Sequence, residues 1–498
     1  MTSLWLDRNM RSPGYPRESI QTDPISPGRR YDIVVAGAGL TGLTTALLFA
    51  RAGRSVAVVE ARQVGAVTSG NTTAKVSLLQ GTHLSELLRH TSLRNAKAYV
   101  EANREGMEWL LRYCNDHGIP AQRRDAYSYA GTEDGVVAVR RELRAARRLG
   151  LNATEDAADE LPFKTYGALR LANQAQINPM DVLAALAADV RRHGGVIHEG
   201  VRVQGVRAGT PVFVETNRGV FLAEKLVLAT GTPILDRGLY FAKMTAHRSY
   251  GLAFRVPGEL PQGMYLSVDA PTRSLRTALV DGEERLVVGG NGHIVGRSRS
   301  PRALVADLDS WTRENFTGAE RSHAWSAQDY RPAGRIPFVG WLPRGHGRIF
   351  IATGYDKWGM SNAVAASLTL AADILGGHLP WANTLHRRVS TPADVGSFLG
   401  ANAAVGVELA RGYWNAWRSK PSTPAEGSGM VAHDGTRPIG VCTVNGVTSR
   451  VSAVCPHLGG VLSWNDAEFS WDCPLHGSRF TANGTRLEGP AVDDLGRR

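Results

Sequence analysis

Two short segments near the C-terminus each carry one cysteine and one histidine: Cys455-Pro456-His457 and, after fifteen intervening residues, Cys473-Pro474-Leu475-His476-Gly477-Ser478. Thiolates and imidazoles in pairs are metal ligands, and the order in which they come restricts the metal. Zinc fingers usually pair Cys with Cys and His with His, whereas here each loop supplies one of each. That alternation suits a sulfide-bridged iron pair. Cys455 and Cys473 would serve one iron and His457 and His476 the other, a ligation that raises the potential above that of an all-cysteine cluster. The prolines and Gly459, Gly460 and Gly477 fit two tight loops clamping such a centre.

A second constellation lies at the other end of the chain, where Gly37-Ala38-Gly39-Leu40-Thr41-Gly42 follows the apolar run Ile33–Ala36 and leads into a helical pattern through Leu43, Leu47 and Leu48. Gly37 makes the turn, Gly39 lets the backbone approach a pyrophosphate, and Gly42 lets helix and strand pack closely. The helix N-terminus offers unpaired N–H groups to phosphates. Glu60, eighteen residues after Gly42, ends a second apolar run from Ser55 and can accept hydrogen bonds from ribose hydroxyls. Strand, glycines, helix, strand and acid in this order predict a dinucleotide-binding β-α-β unit. Gly289-Gly290-Asn291-Gly292 lacks the spacing and a following helix, so one dinucleotide is expected, and FAD rather than NAD because the unit opens the chain.

The elements around these sites follow from periodicity. Ser92–Tyr113, Glu133–Leu149 and Asn178–His193 read as helices, and Val196–Val203 as a strand. Leu226-Val227-Leu228-Ala229-Thr230-Gly231 and Arg348–Gly354 are strands running into glycine turns, the latter followed by a helix to about Leu375. Alternating runs between Tyr250 and Gly290 predict an antiparallel, substrate-facing sheet. Residues 1–30 read as a polar arm that wraps the surface or frays. Beyond the linker Pro421–Gly429 come short strands and tight turns, a separate small β domain.

The N-terminal region resembles the glycine oxidase and D-amino acid oxidase (DAO) superfamily from Asp32 to about Leu375. The resemblance rests on the glycine fingerprint, Glu60-Ala61-Arg62, the loop Thr68-Ser69-Gly70-Asn71-Thr72-Thr73-Ala74-Lys75, Ala229-Thr230-Gly231, and Gly354-Tyr355-Asp356-Lys357-Trp358-Gly359-Met360. It implies an α/β FAD-binding Rossmann-like domain with an inserted α+β substrate domain. It places Leu40, Thr41, Ala61, Arg62, Ser69, Thr72, Thr73, Val203, Thr230, Gly231, Gly354, Trp358, Gly359 and Met360 beside FAD, with the late helix pointing its N-terminus at the flavin edge where reduction builds negative charge. The C-terminal region, from Val431 onward, resembles Rieske [2Fe–2S] domains. It departs from the respiratory type at Gly460 and Leu475, which stand where that type has a disulfide pair, and at Phe480 in place of a tyrosine. Ser478 stands where a hydroxyl commonly bonds a bridging sulfide. An intermediate potential is the expectation.

The implied organisation is an arm over 1–30, a DAO-like oxidoreductase over 31–395, a helix and linker over 396–428 and the all-β Rieske domain over 429–498. Within the oxidoreductase, the FAD-binding parts are about 31–85, 170–235 and 330–392, and the substrate lobe about 86–169 and 236–329. Cys114 and Cys442 read as buried packing residues. Candidate catalytic groups are Lys357 in the late loop and Tyr250, Arg276 and His247 in the substrate-facing sheet, with Arg248 and His293 beside them.

Bulk properties narrow the function. The formal charge of +11 comes mostly from arginines scattered in short pairs, without the aromatic-interleaved run of a nucleic-acid binder. Ile33–Ala50 is uncharged for eighteen residues, but its glycines and threonines argue against a membrane span. The N-terminus lacks a signal-peptide core and four cysteines make no disulfide framework, which points to the cytosol. The expected activity is oxidation of a small molecule, an amine or amino acid, by hydride transfer to FAD, with electrons passed singly through the cluster to an acceptor such as a redox protein. The alternative is a relay between protein partners without a small substrate. A Rieske oxygenase is disfavoured, because no two-His-one-carboxylate set stands out: His83 and His90 lack the spacing.

Overall fold

Ile33–Ala36 and Val56–Val59 are apolar at every position, so these strands must be covered on both faces. The computed structural model, which describes residues 1–7, 22–25, 28–388, 391–435 and 437–496, places them at the centre of a sheet ordered Phe338–Trp341, Ile349–Thr353, Gly219–Leu228, Arg30–Ala36, Val56–Glu60, Val196–Glu199. The inner four run parallel, with Val35 level with Val58 and Val227. Ile33 and Val35 pack under the helices Leu40–Arg51, Pro179–Arg192 and Gly359–Leu375. Val34 and Ala36 pack instead against Val203, Val206, Val212 and Val214 of a strand meander. A side chain at Gly42 would collide with the carbonyl of Gly37, and one at Gly37 with that of Ala229, so the fingerprint glycines are fixed by close backbone approach. The eighteen uncharged residues are therefore strand, turn and core helix.

A nine-stranded second sheet carries the long antiparallel strands Met244–Arg255, Glu283–Ile294 and Glu320–Pro332, and extends to Ala121–Tyr129 and Ala168–Ile177. Helices Leu93–Asp116 and Gly135–Arg148 stand where the 3.6-residue period predicts them. Among the described residues no single helix is long and apolar enough to cross a membrane.

Three expectations are corrected. The arm does not begin as a frayed polar segment: Leu4 and Trp5 are buried with Ala253, Ala278, Val287 and Trp325, and the Trp5 indole donates to the Thr72 carbonyl. Residues 8–21 of the arm lie outside the described residues. Val196–Val203 is not one strand, because Gly200 takes a left-handed conformation between Val196–Glu199 and Val203–Arg207. The helix placed after residue 395 starts at Pro392, where Thr391 and Asp394 form a capping box.

The C-terminal unit has a three-stranded sheet over Gly429–Ser452 and a four-stranded sheet over Ser463–Glu488. It docks on the second sheet through charge. Arg248, buried on strand Met244–Arg255, donates to both carboxylate oxygens of Glu468 at 2.5 and 2.6 Å and lies 3.3 Å from Glu488. Arg479 contacts Glu488 at 2.8 Å, Asp472 at 2.9 Å and Glu468 at 3.2 Å. Burial works to raise the carboxyls of Glu468 and Glu488, but the two guanidiniums outweigh it and hold both below the usual range.

Arg248→Ala strands Glu468 without its bidentate partner and is expected to destabilise the docked state by about 3–5 kcal/mol, read as a lower urea midpoint. Because both carboxyl pKa values are depressed on folding, the stabilisation is complete above the unfolded value near ~4.3 and is lost as pH falls through the folded values. The wild type should therefore lose stability more steeply in acid than the variant.

Candidate cofactor sites

A long, partly open cleft runs along the C-terminal ends of the parallel strands. Gly37, Gly39, Leu40 and Thr41 line its middle, Glu60, Ala61, Arg62 and Val203 one end, and Gly354, Lys357, Gly359 and Met360 the other. Glu60 is fixed by accepting from the backbone N–H groups of Ala38 and Arg62, each at 2.8 Å. Burial raises its carboxyl and these two donors oppose the rise. The remaining lone pairs can take ribose hydroxyls. Ser69 Oγ accepts from the Leu40 N–H at 3.0 Å, leaving its own proton for a phosphate. Arg62, Arg202 and Arg486 also border the Glu60 end; burial and mutual repulsion depress Arg202 and Arg486, the latter to about 10. An anionic dinucleotide would relieve that crowding.

Of the sequence-chosen cleft residues, Ser69, Thr72, Thr230 and Gly231 also line the wall. Three do not. Gly42 is sealed behind Gly37, and Trp358 caps the late helix, its carbonyl receiving Asn362 N–H. Thr73 gives its carbonyl to Arg276.

At the far end Asp356 and Lys357 both adopt left-handed backbone conformations just ahead of helix Gly359–Leu375. Lys357 thereby reaches the second sheet, where its Nζ lies beside Gly292 and Ser249. Burial depresses the lysine, and Asp356 opposes the shift. Asp329 lies opposite His247 in the pairing of strands Met244–Arg255 and Glu320–Pro332. Burial and the nearby Asp356 push Asp329 up to about 7, and its Oδ2 has no partner. Burial, then Arg331 and Lys357, push His247 down to about 3, so it is uncharged at neutral pH, and its Nδ1 has no partner. Asp329, Tyr330 and Tyr355 line the wall here, and sequence reasoning missed all three as site residues. Tyr355 was inside a quoted motif, whereas Asp329 and Tyr330 carry no local signal.

Two catalytic candidates are corrected. Arg276 does not face the cleft: it donates to the carbonyls of Thr73, Ala74, Ile177 and Thr277 and stacks on Trp5 at 5.3 Å, so it ties the N-terminus to the sheet. Tyr250 packs in the apolar cluster of Leu252, Leu275 and Val288, 5.7 Å from the His293 ring, outside the cleft wall.

The four cysteine and histidine ligands do converge. Both loops close the same way, with Gly459 N–H on the Cys455 carbonyl and Gly477 N–H on the Cys473 carbonyl. The Cys455 and Cys473 thiols lie within hydrogen-bond reach of each other, and the His457 and His476 rings stand 5.2 Å apart at 88°. His476 Nδ1 is buried without a partner, and His457 uses Nε2 on Asp236 at 3.0 Å. Two facing thiols and an orphaned imidazole nitrogen fit a two-iron cluster. Leu475 lies against Gly460, so the respiratory type's disulfide positions are in contact here but carry no sulfur. Phe241, from the loop after Thr230-Gly231, meets both imidazoles edge-on at 5.0 and 4.9 Å.

Comparison with known proteins agrees with both sites. Residues 32–372 match the family described as FAD dependent oxidoreductase (DAO), and residues 426–497 match the Rieske [2Fe-2S] domain. The chain is 31% identical over 480 residues to the putative Rieske 2Fe-2S iron-sulfur protein YhfW of Bacillus subtilis (strain 168), covering 93% of this chain and 92% of that one. It is 23% identical over 371 residues to gamma-glutamylputrescine oxidoreductase of Escherichia coli (strain K12), covering 71% and 86%. Its fold is similar to that of glycine oxidase from Geobacillus kaustophilus, with a TM-score of 0.62 at 19% identity over 72% of this chain and all of that one.

Cys473→Ser should abolish the visible and EPR signals of the iron–sulfur centre while flavin absorbance persists at saturating FAD. Glu60→Ala, which removes charge-assisted hydrogen bonds, should weaken FAD binding by roughly tenfold or more in a fluorescence titration.

Proposed function

Because the chain belongs to the FAD-dependent oxidoreductase (DAO) family and carries a Rieske [2Fe-2S] domain, we propose that it oxidises an amine or amino acid at FAD and sends the electrons out singly through the cluster. The observation that carries this reading is one side chain, Gln328. Its Nε2 donates to the Gly477 carbonyl at 2.8 Å, one residue from the ligand His476, and to the hydroxyl of Tyr330 at 2.9 Å, in the wall of the FAD cleft. When bound, FAD accepts a hydride and the cluster carries one electron at a time.

The chain's own residues supply the rest. An amine must lose its ammonium proton before a hydride can leave, and Asp329, poised near neutrality with a free Oδ2, can take that proton. His247 stays uncharged opposite it and leaves the charge balance to Asp329 and Lys357. Lys357 and the N-terminus of helix Gly359–Leu375 set a positive potential that favours electron-rich states in the cleft. Lys357, Ser249 and Gly292 meet across the cleft end, which supports a small-molecule chamber over the relay reading, for which an exposed face is expected. The amine class is supported by the similarity to gamma-glutamylputrescine oxidoreductase and to the glycine oxidase fold.

Anaerobic mixing with a panel of amines and amino acids should bleach the flavin first and then raise the EPR signal of a reduced cluster; bleaching without that signal removes the internal transfer. Gln328→Leu should slow the second phase and spare the first. With an effective amine, flavin reduction should speed up as pH rises through about 7, where Asp329 ionises. Asp329→Asn should abolish that limb and slow reduction by ~10²-fold.

A further inference from the structure

The cleft wall contains Arg486, Leu487, Glu488, Gly489 and Ala491, which belong to the iron–sulfur domain and not to the oxidoreductase. They form the last strand, Arg486–Glu488, and the turn after it. Gly489 sits on Thr232 and Ile234 of the oxidoreductase, so the segment lies across the cleft as a strap. Arg486 Nη1 closes the turn on the Ala491 carbonyl at 2.7 Å. Arg479 and Arg248 hold Glu488.

The strap is also tied to the metal loops. The Ala491 N–H donates to Ser478 Oγ at 3.0 Å, and the Ser478 hydroxyl faces the Cys455 thiol. Ser478 is fully buried and lies two residues from the ligand His476. One hydroxyl therefore touches a cluster ligand on one side and the strap on the other. A bound cluster pins both ligand loops, and loops so pinned need less ordering when a ligand closes against them.

We infer that the strap Arg486–Ala491 is a wall of the FAD site, so that cluster assembly and FAD binding strengthen each other. Leu487 and Arg486 add apolar cover and positive charge to the Glu60 end of the cleft, beside Arg202. Linkage requires reciprocity: the factor by which the cluster tightens FAD equals the factor by which FAD tightens the cluster.

The test uses the full-length protein and reads FAD affinity by flavin fluorescence and cluster content by EPR, neither of which depends on substrate oxidation or electron transfer. Leu487→Ala, a half-buried residue outside the ion-pair network, should weaken FAD by about five- to tenfold with the reduced-cluster EPR spectrum unchanged. Wild-type protein stripped of its cluster by a chelator under reducing conditions should bind FAD about tenfold more weakly, and deflavinated protein should lose its cluster correspondingly more readily. Ser478→Ala, which cuts the strap from the ligand loop, should shrink that coupling towards unity. An Leu487→Ala protein with native EPR and FAD affinity within twofold of wild type overturns the strap. Equal FAD affinity with and without the cluster overturns the coupling.

Discussion

Arginine keeps its charge wherever it is placed, so a guanidinium taken out of water must be met by carboxylates or carbonyls. Arg248 and Arg479 share Glu468, Glu488 and Asp472 at the junction of the second sheet and the iron–sulfur domain, all with little access to solvent. Desolvating five charges is costly, and the arrangement stays favourable only in one geometry, with the forks aligned on their carboxylates. That single geometry sets where Gly477 meets Gln328 and where Leu487 meets the cleft. The relation between the two cofactor sites follows from it.

The same reasoning separates arginines that act from arginines that hold. Arg276, on the strand Arg273–Val280 that pairs with Glu283–Ile294, spends its donors on four backbone carbonyls and fixes the buried N-terminal segment. Arg62, Arg202 and Arg486 instead gather at one end of a cleft, where burial and repulsion between neighbouring arginines depress Arg202 and Arg486 despite nearby Glu60, Asp493 and Asp494, an arrangement suited to an anion. At the other end burial works against charge on each titrating group, raising Asp329 to about 7, lowering His247 to about 3 and lowering Lys357, which Asp356 partly restores. A carboxyl near 7 beside an uncharged imidazole is suited to proton transfer at neutral pH.

The similarity to YhfW spans both domains, whereas the likeness to gamma-glutamylputrescine oxidoreductase and glycine oxidase spans the oxidoreductase part. Asp236, Phe241 and Gln328 contact a ligand histidine or its loop, and Arg248 anchors the docked domain; all sit on the oxidoreductase side of the junction.

What the sequence alone determined are the sites whose geometry is made by contiguous backbone. Gly37, Gly39, Gly42 and Glu60 were legible because a phosphate-binding turn needs those residue types at those spacings, and the four cluster ligands because two short loops each carry a pair. Tertiary structure alone decided the rest. Asp329 faces His247 only through strand register, Gln328 reaches Gly477 across 149 residues, and Arg248 reaches Glu468 across 220. The same register turned Arg276 and Tyr250 away from the cleft. A lone polar residue in an alternating strand points to core, cleft or partner domain according to which strand pairs beside it, and that pairing is a property of the folded sheet rather than of the residue's neighbours in the chain.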